Sequence, residues 1–270
     1  MSTYVMSDIH GCYDALHQMM KQIGLTAEDR LIIAGDYIDR GPQNYEMLQW
    51  LLDPPSNVTL IKGNHDDRFV IYVGMLKEAM EREGADFSRL QDTRCIHQDL
   101  VDSGIKPPGS GVPYDFYGTI GDLIRDYGTS LNDLLIWSEA IDRLPLFFRE
   151  EMNGRDTVVV HGGYVEELES VDTKDYFENR KMFLLWARED AYSVGGVPHG
   201  MVIAGHTPTF FDEFTMYNKG FVYCKYDEEK DCIYYDIDCG LVYRESHPEG
   251  KLACLRIEDE KVFYLEENNL

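Results

Sequence analysis

Five short stretches of the chain pair metal-binding or proton-moving side chains with glycine, and each follows an apolar run. They read Asp8-Ile9-His10-Gly11, Gly35-Asp36-Tyr37-Ile38-Asp39-Arg40-Gly41, Gly63-Asn64-His65-Asp66, His161-Gly162-Gly163 and Gly205-His206-Thr207-Pro208. A carboxylate and an imidazole one residue apart at a strand's end can present oxygen and nitrogen to one cation. The candidate ligands are Asp8, His10, Asp36, Asn64, His161 and His206. Oxygen and nitrogen donors without cysteine suit first-row ions of intermediate hardness, namely Mn, Fe or Zn. For two ions to share this set, one donor must bridge, and a carboxylate with two oxygens does so best. Asp36 lies between the two groups in sequence. The first ion is therefore assigned Asp8, His10 and Asp36, and the second Asp36, Asn64, His161 and His206. Two ions about 3.5–4 Å apart clamp an in-line phosphoryl displacement and acidify a bridging water to hydroxide.

The neighbours of these ligands suit the rest of that chemistry. His65 directly follows Asn64 and is poorly placed for the same ion. It suits the general acid that protonates the leaving oxygen, with Asp39 bonded to its other nitrogen and holding it protonated. Arg40 can grip phosphate oxygens bidentately, Arg188 is a second candidate clamp, and Arg68 a weaker third. His17, His97, His199 and His247 fall outside the motifs and are read as surface or loop residues. Cys12, beside the site, reads as a small packing residue. Tyr37 and Tyr164 read chiefly as core residues, with base stacking as the alternative.

The elements that must hold these loops follow from periodicity. Apolar runs before Asp8, at Arg30–Ala34 and at Val58–Lys62 alternate with helical patterns at Tyr13–Ile23 and Asn44–Leu52. This βαβαβ order implies parallel strands, and ligands of open α/β sheets gather at the strands' carboxyl ends. From residue 71 to about 143 the character changes. Helical patterns at Ile71–Glu83, Ile120–Tyr127 and Leu131–Arg143 flank a Gly/Pro-rich stretch from Gly104 to Gly118. We read this as a helical insert with a mobile loop on the active-site side. A hairpin over 145–160 leads into His161, and a strand over 201–204 leads into Gly205. The tail, from Phe221 to Leu265, reads as antiparallel β.

Composition excludes several classes of function. The net charge of −24 disfavours a polyanion such as nucleic acid, so local positive charge for a phosphate must come from metals and a few arginines. No run approaches the roughly 18 apolar residues of a membrane span, and no basic-then-apolar leader precedes Asp8, so a cytoplasmic protein is expected. The six cysteines show no C-x-x-C pair and read as reduced thiols.

Taken together and in this order, the motifs resemble the calcineurin-like metallophosphoesterases. More narrowly they resemble the phosphoprotein phosphatase branch, with its bacteriophage lambda-type protein phosphatase and bacterial symmetrical diadenosine tetraphosphatase relatives. The resemblance runs from Tyr4 to about Ile257, closing on Asp236-Ile237-Asp238-Cys239-Gly240 and Lys251-Leu252-Ala253-Cys254-Leu255. It implies an α/β chain forming one four-layer αββα domain over 1–270, with the insert at about 71–143. It also implies two divalent metals, Mn being the first choice in vitro, and phosphoester hydrolysis. The first expectation for substrate is a phosphorylated protein, cleaved as by a serine/threonine phosphatase. The alternative is symmetrical hydrolysis of a dinucleoside polyphosphate, favoured by Asp66 after Gly63-Asn64-His65 and by Leu184-Leu185-Trp186-Ala187-Arg188. A binding module without catalysis would have lost ligands, and this chain keeps all of them.

Overall fold

The computed structural model describes residues 1–83, 115–166, 180–193 and 195–265. In chain order the elements of the first half are β1 (Thr3–Met6), α1 (Tyr13–Gln22), β2 (Arg30–Ile33), α2 (Asn44–Leu52), β3 (Val58–Leu60), α3 (Asn64–Glu83), α4 (Asp115–Tyr127) and α5 (Leu131–Asp142). The second half contains β4 (Phe147–Met152), β5 (Arg155–Val160), α6 (Arg180–Trp186), α7 (Asp190–Ser193), β6 (Gly200–Ala204), β7 (Tyr223–Asp227), β8 (Cys232–Asp236), β9 (Ala253–Arg256) and β10 (Lys261–Tyr264).

These strands form two mixed sheets, ordered β10-β9-β1-β2-β3 and β4-β5-β6-β8-β7. As the βαβαβ reading requires, β1–β2 and β2–β3 are parallel. Alternation along the strands then builds the layers. Val5, Ile32, Val159, Ile203, Tyr235 and Leu255 point between the sheets into a shared core. Their neighbours Tyr4, Met6, Leu31 and Ile33 point outward, onto Leu16, Met19, Leu48, Phe69, Ile120 and Leu134 of the first five helices. On the far side Val158, Val160, Val202 and Tyr234 meet Phe183 and Leu184 of α6. The result is a four-layer αββα sandwich.

Two differences from the expected elements stand beside one expected hairpin. Helix α3 begins at Asn64, not near residue 71, so Asn64 and His65 occupy its first turn and not a loop. The tail forms the expected antiparallel pairs, β7 with β8 and β9 with β10, but the two pairs belong to different sheets. Strand β8 joins the second sheet parallel to β6, while β9 joins the first sheet antiparallel to β1. The β4–β5 hairpin turns at Asn153 (φ 52°) and Gly154 (φ 75°), an Asn-Gly pair suited to two successive positive φ values.

Most of the Gly/Pro-rich stretch, with Cys95 and His97, lies outside the described residues. Helices α4 and α5, on its C-terminal side, pack against α2 and α3. A capping box holds the start of α5, with Ser130 accepting from Asp133 N–H and the Asp133 carboxylate accepting from Ser130 N–H. Among the described residues no helix is long and apolar enough to cross a membrane. The five described cysteines are unpaired thiols.

Candidate active site

All six ligand candidates come together where the strand ends of the two sheets meet, each 5 % exposed or less. Backbone bonds interlock the first two loops: Asp8 N–H donates to Gly35 O (3.1 Å), His10 N–H to Asp36 O (2.8 Å) and Gly11 N–H to Tyr37 O (2.7 Å). The second sheet is tied on by His206 N–H, which donates to Asp8 Oδ2 at 3.0 Å. These loops hold non-glycine residues at positive φ, including Asp8 (53°), His10 (46°), Asp36 (56°), Asp39 (74°), Arg40 (71°) and His206 (71°). So many left-handed residues at one place are a costly conformation that persists where surrounding structure enforces it, most often at functional sites. Glycine permits the crowding. A Cβ on Gly63 would sit 2.2 Å from Asp36 Oδ1, and one on Gly205 would sit 2.2 Å from Asp8 Oδ2.

The geometry places Asp36 between the two imidazoles. Its Oδ2 lies 3.4 Å from His10 Nε2 and 3.4 Å from His161 Nε2. Asn64 Oδ1 is 2.7 Å from His161 Nε2, and Asp8 Oδ1 is 4.0 Å from His10 Nε2. The far nitrogens are anchored, His10 Nδ1 to Ile38 O (2.9 Å) and His161 Nδ1 to Ala34 O (2.8 Å). Anchoring of this kind fixes the tautomer and turns the bare Nε2 toward a metal. His206 Nε2 is buried with no hydrogen-bond partner, while the Trp186 carbonyl bonds its ring. A buried, unpaired acceptor aimed among carboxylates is what a cation would satisfy, so the donor set fits divalent metal. Ligand atoms cluster within 4.8 Å in two groups, Asp36 with His161 and His206, and Asp36 with His10 and His65. His65 thus stands nearer the first ion's place than its sequence position suggests. Its Nδ1 is engaged by Asp39 Oδ2 at 2.8 Å.

Burial among like groups shapes the electrostatics. Desolvation pushes Asp8 up to about 6 and Asp36 up to about 7, in each case opposed by neighbouring cations or hydrogen bonds. Asp39 is raised well above the usual carboxylate range by burial, and the bond from Thr119 opposes the rise. Burial, followed by the neighbouring His10 and Arg40, drives His65 well below its ordinary value. The Asp39 contact orients the ring.

The arginines take different stations. Arg40 Nη1 donates to His10 Nε2 at 2.9 Å, and its guanidinium lies 5.5 Å from the Tyr243 ring centre. Arg188 Nη1 donates to His206 O at 2.9 Å, with the guanidinium 5.1 Å from the Phe214 ring. Both line a cleft of about 260 Å³ together with Asp36, Asn64, His65 and His206. Arg68 instead packs its guanidinium over Trp186, at 5.0 Å.

Several contributions to the site were not evident from the sequence, even where the residue itself was part of a motif. Asp66 is fully buried, and its carboxylate accepts from Asp36 N–H and Gly63 N–H (both 2.8 Å) and Tyr37 N–H (3.0 Å). It is the brace between the second and third motifs. Thr119, on α4, donates to Asp39 Oδ1. Trp186, Phe211, Phe214 and Tyr243 form the aromatic side of the cleft. Tyr37 and Tyr164 are core residues, 0 % and 1 % exposed. The other described histidines outside the motifs also stay out of the site: His17 meets Tyr13 edge-on, His199 pairs with Asp231, and His247 packs on Phe210.

Comparison with known proteins agrees with this arrangement. A symmetrical bis(5'-nucleosyl)-tetraphosphatase from Actinobacillus pleuropneumoniae serotype 3 (strain JL03) is 43% identical over 67 residues, 24% of this chain and 25% of that protein. Its counterpart from Vibrio campbellii (strain ATCC BAA-1116) is 33% identical over 84 residues, 31% of each chain. The chain thus matches about a quarter to a third of the length of these curated relatives. Among solved structures, a protein serine/threonine phosphatase from Saccharomyces cerevisiae with similarity to human phosphatase PP5 superposes with a TM-score of 0.53 at 14% identity, covering 98% of this chain and 79% of that one. A metallophosphoesterase from Sphaerobacter thermophilus superposes with a TM-score of 0.51, also at 14% identity, covering 98% and 87%. Identity this low speaks to the fold alone. Residues 1–239 match the calcineurin-like phosphoesterase family, and the chain belongs to it.

Proposed function

We propose that the protein is a two-metal phosphoester hydrolase, formed by one catalytic domain with residues of about 71–143 as a helical elaboration. The carrying observation is the pair of buried donor groups that share Asp36, with His10 and His161 each 3.4 Å from its Oδ2. Asp8, His10 and Asp36 would hold one ion, and Asp36, Asn64, His161 and His206 the other. When bound, such ions supply Lewis acidity and an acidified water as nucleophile.

The chain's own residues do the rest. Arg40 and Arg188 reach the cleft from opposite sheets and orient the phosphate oxygens. His65 stands at the cleft wall, oriented by Asp39, and delivers a proton to the leaving oxygen. Burial at 3 % exposure keeps bulk water from competing for that proton.

For the substrate, the aromatic side of the cleft supports a nucleotide over a phosphoprotein. Trp186, Phe211, Phe214 and Tyr243 offer ring faces to a base beside the phosphate site. The sequence similarity to symmetrical tetraphosphatases points the same way. We therefore favour a dinucleoside polyphosphate. The phosphoprotein reading is second, because the same acid and clamps would serve a phosphoserine ester.

The test is turnover of Mn-loaded protein on diadenosine tetraphosphate and on a phosphopeptide panel, with chromatography of products. ADP as the sole nucleotide product is expected. Phosphate release from peptides without ADP formation would shift the assignment to the phosphatase, and inactivity on both would remove it.

A further inference from the structure

Helix α3 opens on Asn64, His65, Asp66, Asp67 and Arg68. The first three serve the site as metal donor, cleft wall and loop brace. Asp67 and Arg68 follow Asn64 by three and four residues, so all three project from one face of the helix. Asn64 reaches His161 there, and the other two reach α6. The structure assigns to Arg68, acting through Trp186, the positioning of His206 as a donor to the second metal. This role rests on the two-metal reading above and deepens it.

The histidine donors are held alike but from different places. His10 Nδ1 meets Ile38 O and His161 Nδ1 meets Ala34 O, and both carbonyls follow β2 in fully buried residues. His206 Nε2 has no partner, so the bond from its ring to the Trp186 carbonyl runs through Nδ1. That carbonyl belongs to the last residue of α6, a helix of 7 residues and too short to be stable by itself. Its position therefore comes from what docks α6. On the sheet side, Gly162 N–H donates to Leu184 O at 2.7 Å. On the α3 side, Lys181 Nζ pairs with Asp67 Oδ1 at 2.7 Å near the start of α6. At the end of α6, the Arg68 guanidinium lies 5.0 Å from the Trp186 ring centre.

These contacts converge on His206. The Trp186 ring meets the His206 ring edge-on, with centroids 5.8 Å apart and planes at 83°. Two residues on, Arg188 Nη1 donates to His206 O at 2.9 Å. Residues 186–188 thus hold His206 by its ring and by its backbone. A guanidinium over an indole face is attracted by the ring's negative quadrupole, and partial burial strengthens the attraction. Without that charge the indole is free to turn, the end of α6 shifts, and the bare Nε2 leaves its line to the metal. Asp67 is buried and also lies 3.9 Å from Lys62 Nζ, so its carboxylate is compensated from two sides. Arg68 thus serves the site at one remove, through a metal donor and not through phosphate.

Arg68→Met tests the role, because it keeps an unbranched stem and removes the charge, while Arg68→Lys restores a cation. Two quantities are read. One is the pair of Mn dissociation constants from calorimetric titration of metal-stripped protein. The other needs no metal: the NMR signal of the His206 Nδ1 proton in metal-stripped protein, identified by its absence from His206→Gln. In Arg68→Met one Mn site should weaken by about tenfold, the lower end of what losing an outer partner of a metal-bound histidine costs, with the other site unchanged within about twofold. The Nδ1 signal should broaden or vanish. Arg68→Lys should return the weakened site to within about threefold of wild type and recover the signal. Lys181→Met, at a half-exposed position that spares the core, should weaken the same site by about threefold. If wild type binds two ions and both methionine variants leave the constants and the signal as they were, the positioning role is wrong and the two-metal reading stands. Equal weakening of both sites, with no recovery in Arg68→Lys, would make Arg68 a structural residue only and would also overturn the role. If wild type binds fewer than two ions, the two-metal reading falls and this role falls with it.

Discussion

The two halves of the site are built by different means. The first half, holding Asp8, His10 and Asp36 with Asp39, Arg40 and His65, comes from three adjacent parallel strands and their loops. Its parts lie within 58 residues of one another in sequence, and backbone bonds join its loops directly. The second half, His161 and His206 with Arg188, comes from the other sheet, across the shared core. Its alignment depends on long-range contacts such as His161 Nδ1 to Ala34 O and His206 N–H to Asp8 Oδ2. Asp36 and Asn64 stand at the seam. In the proposed mechanism the first half would supply the acid and one clamp from a locally ordered unit. The second would supply ligands, beside an aromatic wall whose placement follows from sheet packing.

The largest expected effect comes from the residue that belongs to both halves. Asp36→Ala should lower kcat by at least about 10⁴-fold and reduce bound metal, measured by elemental analysis beside turnover. A one-sided loss, with one ion retained at full affinity and activity within tenfold, would break the symmetry of the comparison. His65→Ala touches only the first half. It should lower kcat by roughly 10²–10⁴-fold while metal content and KM change little. Loss of metal from that variant would make His65 a ligand, as its nearness to His10 and Asp36 allows.

Asp66 tests how rigidly the first half is held. Asp66→Ala leaves three buried N–H groups without their acceptor and should cost about 3 kcal/mol, read from urea unfolding. The pH dependence has a definite sign. Burial raises the folded carboxyls, Asp8 to about 6 and Asp36 and Asp66 to about 7, above their unfolded values near 4. Between those limits the folded chain binds more protons. Their contribution to stability is full below about pH 4 and is lost as pH rises to about 7 in metal-stripped protein. Divalent metal competes with the same protons, so Mn affinity should increase over this range, with proton release visible by calorimetry in buffers of different ionisation heat. The smallest effect is at the exposed edge between sheets, where Arg30 pairs with Glu150. Its double-mutant coupling should be only ~0.2–1 kcal/mol.

The contrast between halves also explains what the chain revealed in advance. The first half was legible because the apolar strand, ligand and glycine sit within a few residues, and β1-α1-β2-α2-β3 order forces those ends together. The ligands His161 and His206 were legible by the same local pattern, although their meeting with Asp36 required the second sheet to pack on the first. Thr119 gave no sign, since it follows the Gly/Pro-rich stretch and reaches Asp39 only through the packing of α4. Phe211 and Phe214 lie in irregular segments, and Tyr243 in a single 3-10 turn, where no periodicity marks a face. Asp66 was visible as a motif residue, but its function as a triple acceptor depends on how the loops at Asp36 and Gly63 close around it.

Two shared metal groups in one buried centre are the core of the account, and calorimetric titration of Mn into metal-stripped protein, with substrate turnover followed at each step, tests them most directly. Two ions per chain are expected, with hydrolysis rising as the second site fills and both sites weakened in Asp36→Ala. A single ion with full activity, or hydrolysis that persists in excess chelator, would contradict it.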